Sequence, residues 1–206
     1  MAMAKANQDD LAYVRDLAER GAKAPLIGGR FMVWWGLLIT VAYTVHHFAL
    51  NGRIGDGDTI FGLIWATFGI LGAAGQIALA RGLRGKAGAG SAGNLASRSV
   101  WAASAFSCLS MVVGSAIAAG SGAGPAAFDW IVPVAFTAYA CSLIVTGSLA
   151  ANRIVVTAGV GAIVMVGLFT ALILHPDRYL LAALGGALTI LLPGLLLVIA
   201  EPKSLD

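Results

Sequence analysis

Residues 31–50 read FMVWWGLLITVAYTVHHFAL, twenty positions without one acidic side chain, lysine or arginine. At about 1.5 Å per residue, a helix of that length crosses the roughly 30 Å hydrocarbon layer of a bilayer. Five further blocks repeat the pattern, at about 60–80, 99–119, 130–149, 154–174 and 179–200. None alternates at period two, which excludes the strands of a membrane β-barrel. Charged residues make up only 11% of the chain and hydrophobic ones 59%, whereas in soluble domains roughly a quarter of residues are charged. The sequence therefore predicts an all-α polytopic membrane protein with six transmembrane helices arranged as three hairpins.

The connections between blocks are short, so the expected organisation has three parts: a cytoplasmic segment 1–30, a six-helix bundle 31–200 and a cytoplasmic tail 201–206. A charged segment of about 30 residues ahead of the first block argues against a cleaved signal peptide. Within it, NQDDLAYVRDLAERGAKAP reads as a short amphipathic helix. Asp9 and Asp10 suit the start of its dipole, Asp16 and Arg20 pair at i, i+4, and Gly21 and Pro25 stop it. Its apolar stripe of Leu11, Val14, Leu17 and Ala18 serves either as an interfacial anchor or as a handle for a cytoplasmic protein partner through residues 9–20.

Orientation follows from the basic residues. Eleven of the thirteen fall on one side: Lys5, Arg15, Arg20, Lys23, Arg30, Arg81, Arg84, Lys86, Arg98, Arg153 and Lys203, against Arg53 and Arg178 on the other. The positive-inside rule then places both termini in the cytoplasm of a cell whose inner membrane holds the protein. High Ala, Gly, Leu and Arg usage is compatible with a bacterial source. The net charge of +3 is accounted for by this topology and implies no nucleic acid.

Helices in lipid associate through small residues at spacings of four and three. Three such rows occur: Gly36, Thr40, Tyr43 and His47 in the first block; Gly62, Ala66, Gly69, Ala73, Gln76 and Ala80 in the second; Ala182, Gly186, Thr189 and Pro193 in the sixth. Each is expected to face a neighbouring helix. Gly-rich faces also favour a homo-oligomer. Pro133 and Pro193 lie inside apolar blocks, where each removes a backbone donor, and a bend is expected at both.

Candidate chemistry is sparse. His46, His47 and His175 gather at the outer boundary with Asp177, a donor set suited to zinc, copper, nickel or haem. Adjacent positions 46 and 47 point about 100° apart, however, so the pair does not share an ion. Gly36, Thr40, Tyr43, Gln76 and Thr189 form either a polar pathway for a small neutral solute or a packing stripe. Cys108 and Cys141 fall at similar depth on consecutive antiparallel helices, a thiol pair that with Met111 and Met165 has the softness Cu(I) prefers. Ser104, Ser107, Ser110 and Ser115 read as packing residues.

The absences weigh more. No Asp, Glu, Lys or Arg occurs within any block, and intramembrane charges are what proton-coupled carriers, rotary stators and intramembrane aspartyl proteases require. No GxxxxGKS, HExxH or GxSxG motif is present, so no enzyme activity and no cofactor are expected. The leading expectation is a non-enzymatic regulatory, sensory or accessory protein in the bilayer. A small transporter or channel is the alternative, and metal or haem binding at the outer face a second one.

Overall fold

A computed structural model of the chain describes residues 27–55, 58–83, 85 and 89–200. The amphipathic segment 9–20, Asp56 and the tail 201–206 lie outside them. The described helices are α1 (Gly29–Leu50), α2 (Asp58–Gly82), α3 (Ala92–Ala118), α4 (Ile131–Leu149), α5 (Arg153–Ala171), α6 (Arg178–Gly186) and α7 (Leu192–Ile199). A π-helical turn at Ala119–Ala123 extends α3, a 3-10 turn at Pro125–Phe128 leads towards α4, and a second π-helical turn at Ala187–Leu191 joins α6 to α7. Among the described residues there is no strand, and six helices are long and apolar enough to cross a membrane.

Local chemistry sets the helix ends. Ser91 caps α3 by accepting the Asn94 N–H at 3.3 Å, so that helix starts seven residues before the apolar block at 99. Asn152 caps α5 in the same way through Val155 N–H at 3.2 Å. That helix stops at Ala171, short of the expected 174, and the chain turns through Leu172–Leu174. Pro176 bars any continuation through His175, because the residue before a proline is pushed out of the helical region.

In space the helices follow the order α2, α1, α6 with α7, α5, α4, α3. Contact is most extensive between α4 and α5, where Gly147 meets Val156 and Asn152, and Gly159 meets Ile144 and the Ala140 carbonyl. On the other side α1 lies against α6, α7 and the turn between them. Gly29 and Gly36 of α1 touch Leu197 and the Leu191 backbone, while Gly186 and Gly194 receive Ile39 and Met32. Phe136, Leu143, Val155, Phe169 and Ile190 fill the core between these layers.

The two flanking helices are held differently. α2 packs chiefly on α1, with the Trp35 and Trp34 rings seated in notches at Gly72 and Gly75. α3 is fastened to α4 by hydroxyls: Ser97 bonds Thr146 at 3.0 Å, Ser104 bonds Ser142 at 2.7 Å, and Ser115 donates to the carbonyl of Ala127 at 3.0 Å. Ser107 and Ser110 face away from that seam.

Two expectations are corrected. The small-residue rows of α1 and α6–α7 face inward, but that of α2 does not: Gly62, Ala66, Gly69, Ala73, Gln76 and Ala80 are exposed. The face turned to α1 is Phe61, Trp65, Phe68, Gly72 and Gly75, because the glycines there are the ones that admit tryptophan rings. Pro133 bends nothing, since it is the third residue of α4, where the missing N–H has no helical acceptor to lose. At Pro193 the disruption does occur, as the π-helical turn Ala187–Leu191 just ahead of it.

Candidate functional site

The end of the bundle where α1 finishes and α6 begins holds most of its polar chemistry. Helical geometry sends neighbouring side chains about 100° apart, and His46 and His47 accordingly enter different surroundings. His46 lies in an aromatic box. Its ring centroid is 4.0 Å from that of Tyr179 and 4.7 Å from that of Phe61, and Trp65 Nε1 donates to its Nδ1 at 3.1 Å. An indole N–H only donates, so Nδ1 must accept and the neutral ring carries its proton on Nε2. Ligation of a metal through Nε2 needs that proton on Nδ1, facing the Trp65 N–H. The indole thus holds His46 in a form unsuited to ligation.

His47 is buried. Its Nε2 lies 3.7 Å from Asp177 Oδ1, and Asn51 donates to its carbonyl oxygen at 2.8 Å. Asp177 Oδ2 is 3.9 Å from His175 Nδ1, which accepts the Asp177 backbone N–H at 3.2 Å. The fold therefore collects His47, Asp177 and His175 around one carboxylate, with His46 turned away into its box. Among the described residues, no three His, Cys, Asp or Glu side chains converge closely enough to hold a metal ion.

Beside this cluster is a tighter knot not legible in the sequence. Arg178 reaches Asp129 through Nε at 3.3 Å and Nη2 at 3.1 Å, and the Tyr179 hydroxyl donates to the same carboxylate at 2.5 Å. Both charged side chains are mostly buried, and the Arg178 guanidinium also lies over the Tyr179 ring at 4.9 Å. The knot ties the α3–α4 corner to the start of α6. Its members stand 49 and 50 positions apart, and the only hint in the sequence is an isolated acid beside an apolar block.

Most of the polar row is packed against neighbouring helices, while Gln76 is exposed. Gly36 abuts the Leu191 backbone, and Thr40 donates to the Gly36 carbonyl at 2.7 Å. Tyr43 is buried, with its ring 5.1 Å from that of Trp65 and 6.1 Å from that of Tyr179. Thr189 donates to Gly185 O at 2.8 Å, and Gln76 accepts the Trp35 indole N–H at 2.9 Å from the other side of α1. Cys108 and Cys141 are free thiols, the first half-buried in register with Ser104 and Ser115, the second exposed. A groove of about 620 Å³ opens along α1 and α6 below His175 and Asp177, lined by Thr40, Thr44 and the leucines of α6.

Fold and polar end together define a class: an all-helical protein with six membrane-length apolar helices, as a helical membrane protein has. No protein-family model, no curated protein and no solved structure matches the chain.

Proposed function

We propose that the chain is an integral multi-pass protein of a bacterial inner membrane, with both termini in the cytoplasm, acting through contacts with other proteins rather than by catalysis. The observation that carries this reading is the state of the two flanks. α2 and α3 are each held by essentially one neighbour, and only 11% of the apolar window of either is buried. Surface on that scale is covered by bilayer and by whatever the protein assembles with, including further copies of itself. The N-terminal segment adds a cytoplasmic contact point through residues 9–20.

The transporter alternative has less support, because Gly36, Tyr43 and Thr189 are buried between helices. Moving a solute along Gly36, Thr40, Tyr43 and Thr189 requires α1 to part from α6 and α7, where backbones touch. For metal binding at the outer face, the Trp65–His46 bond takes His46 out of the donor set and leaves His47, His175 and Asp177.

Deleting residues 9–20 tests the contact reading. The shortened chain is expected to insert and to purify as a monodisperse bundle, while specific protein cross-links seen with the full chain in cells disappear. A cross-linking pattern unchanged by the deletion overturns the role given to that segment.

A further inference from the structure

The groove along α1 and α6 has a polar head at one end, formed by His175, Asp177 and Arg178. We propose that it binds an amphiphile with an ammonium head, its alkyl chain lying along α6 and its head against Asp177. From Arg178 to Ala187 the groove follows α6 for about 13 Å, and its volume of about 620 Å³ falls within the usual range for ligand sites. Leu180, Leu181, Leu184 and Ala187 line its α6 wall. On the α1 wall the Thr40 and Thr44 hydroxyls are taken up by the carbonyls of Gly36 and Thr40, both at 2.7 Å. No free hydroxyl therefore interrupts the apolar length.

Charge at the mouth selects the head. Arg178 is neutralised by Asp129, to which it donates through two nitrogens, and its Nη1 reaches the His175 carbonyl at 3.4 Å. Among the described residues Asp177 has no Lys or Arg partner. Its side chain is 60% exposed, its nearest ring nitrogens are the imidazoles of His47 and His175 at 3.7 and 3.9 Å, and it makes no capping bond to the helix it precedes. A carboxylate with no Lys or Arg partner at the head of an apolar groove attracts a cation and repels an anionic headgroup. The aminophospholipids of the surrounding bilayer supply that chemistry, so the proposal rests on the membrane reading above.

The test is native mass spectrometry of the full chain in maltoside detergent, titrated separately with phosphatidylethanolamine, phosphatidylglycerol and dodecylamine. Phosphatidylethanolamine is expected to be retained over phosphatidylglycerol by about threefold to fivefold, the size of a partly exposed ion pair. Asp177→Asn is expected to level the two. Ala187→Phe, which fills the groove, and Leu184→Ala, which strips its exposed wall, are expected to lose bound lipid while gel-filtration position and helix content stay unchanged. Retention of dodecylamine without selective retention of phosphatidylethanolamine overturns the lipid as occupant. Equal retention of both lipids and no amine binding overturns the proposal, as does selectivity that survives Asp177→Asn. A groove variant that changes oligomeric state and leaves the adducts intact also overturns it, assigning the groove to contact between copies.

Discussion

A methyl group added to Gly36 comes within 2.5 Å of the Leu191 backbone nitrogen, a clash that no side-chain rotation clears. At Gly69 the same methyl meets nothing within 4 Å. Gly36→Ala is therefore expected to destabilise the bundle by about 1–3 kcal/mol, the ordinary cost of overpacking. Gly69→Ala is expected to be neutral or slightly stabilising, since alanine is the better helix former. Thermal unfolding in detergent separates the two, and equal sensitivity at both positions contradicts the close approach of α1 to the turn before α7. Asp129 offers a second measurement. Asp129→Asn keeps the shape but strands the Arg178 charge, at an expected cost of about 2–4 kcal/mol. Combined with Arg178→Gln the loss should fall short of the sum of the single losses, because the second change removes the stranded charge.

At the scale of elements, apolar length and helical period were legible, and which way each helix faces was only partly so. Water separates inside from outside by hydrophobicity, but lipid is as apolar as a protein core, so the facing of a membrane helix is written in shape. The rows of α1 and α6–α7 face inward because their small residues are where the backbones meet. On α2 an equally regular row points outward, since the decisive shapes are Trp34 and Trp35, which need glycines opposite and find them at 72 and 75. Two adjacent tryptophans on one helix and a Gly72–Gly75 pair on the next were the available signal. The hydroxyl seam of α3 was half visible: Ser104 and Ser115 take part, Ser107 and Ser110 do not, and Ser97 and Thr146 had no mark to distinguish them. Interhelical hydrogen bonds in lipid contribute about 0.6 kcal/mol each on average, rising towards 2. Replacing Ser97 and Ser104 together by alanine should therefore accelerate backbone hydrogen exchange in α3 about tenfold relative to α5. An equal change in both helices would mean that the seam does not hold α3 independently.

For the whole molecule, the orientation links the charge pattern to the groove. Eleven basic residues on one side against two on the other is a margin that no single substitution reverses, so the proposed topology is expected to be robust. A phosphatase fused after Asp206 should be inactive and a fluorescent protein there should be bright, while a phosphatase inserted after Arg53 should be active. The same fusions carrying Arg153→Gln should behave identically, because ten charges still oppose two. With this orientation Asp177 and the mouth of the groove lie at the leaflet facing away from the cytoplasm, and the groove draws on the lipids of that leaflet. Bright and active signals exchanged between the two positions would invert the protein. The groove would then open to the cytoplasmic leaflet, and the segment 9–20 would face outward, where a cytoplasmic partner has no access to it. That single result would leave the packing of the bundle untouched and remove the contact function proposed for its N-terminus.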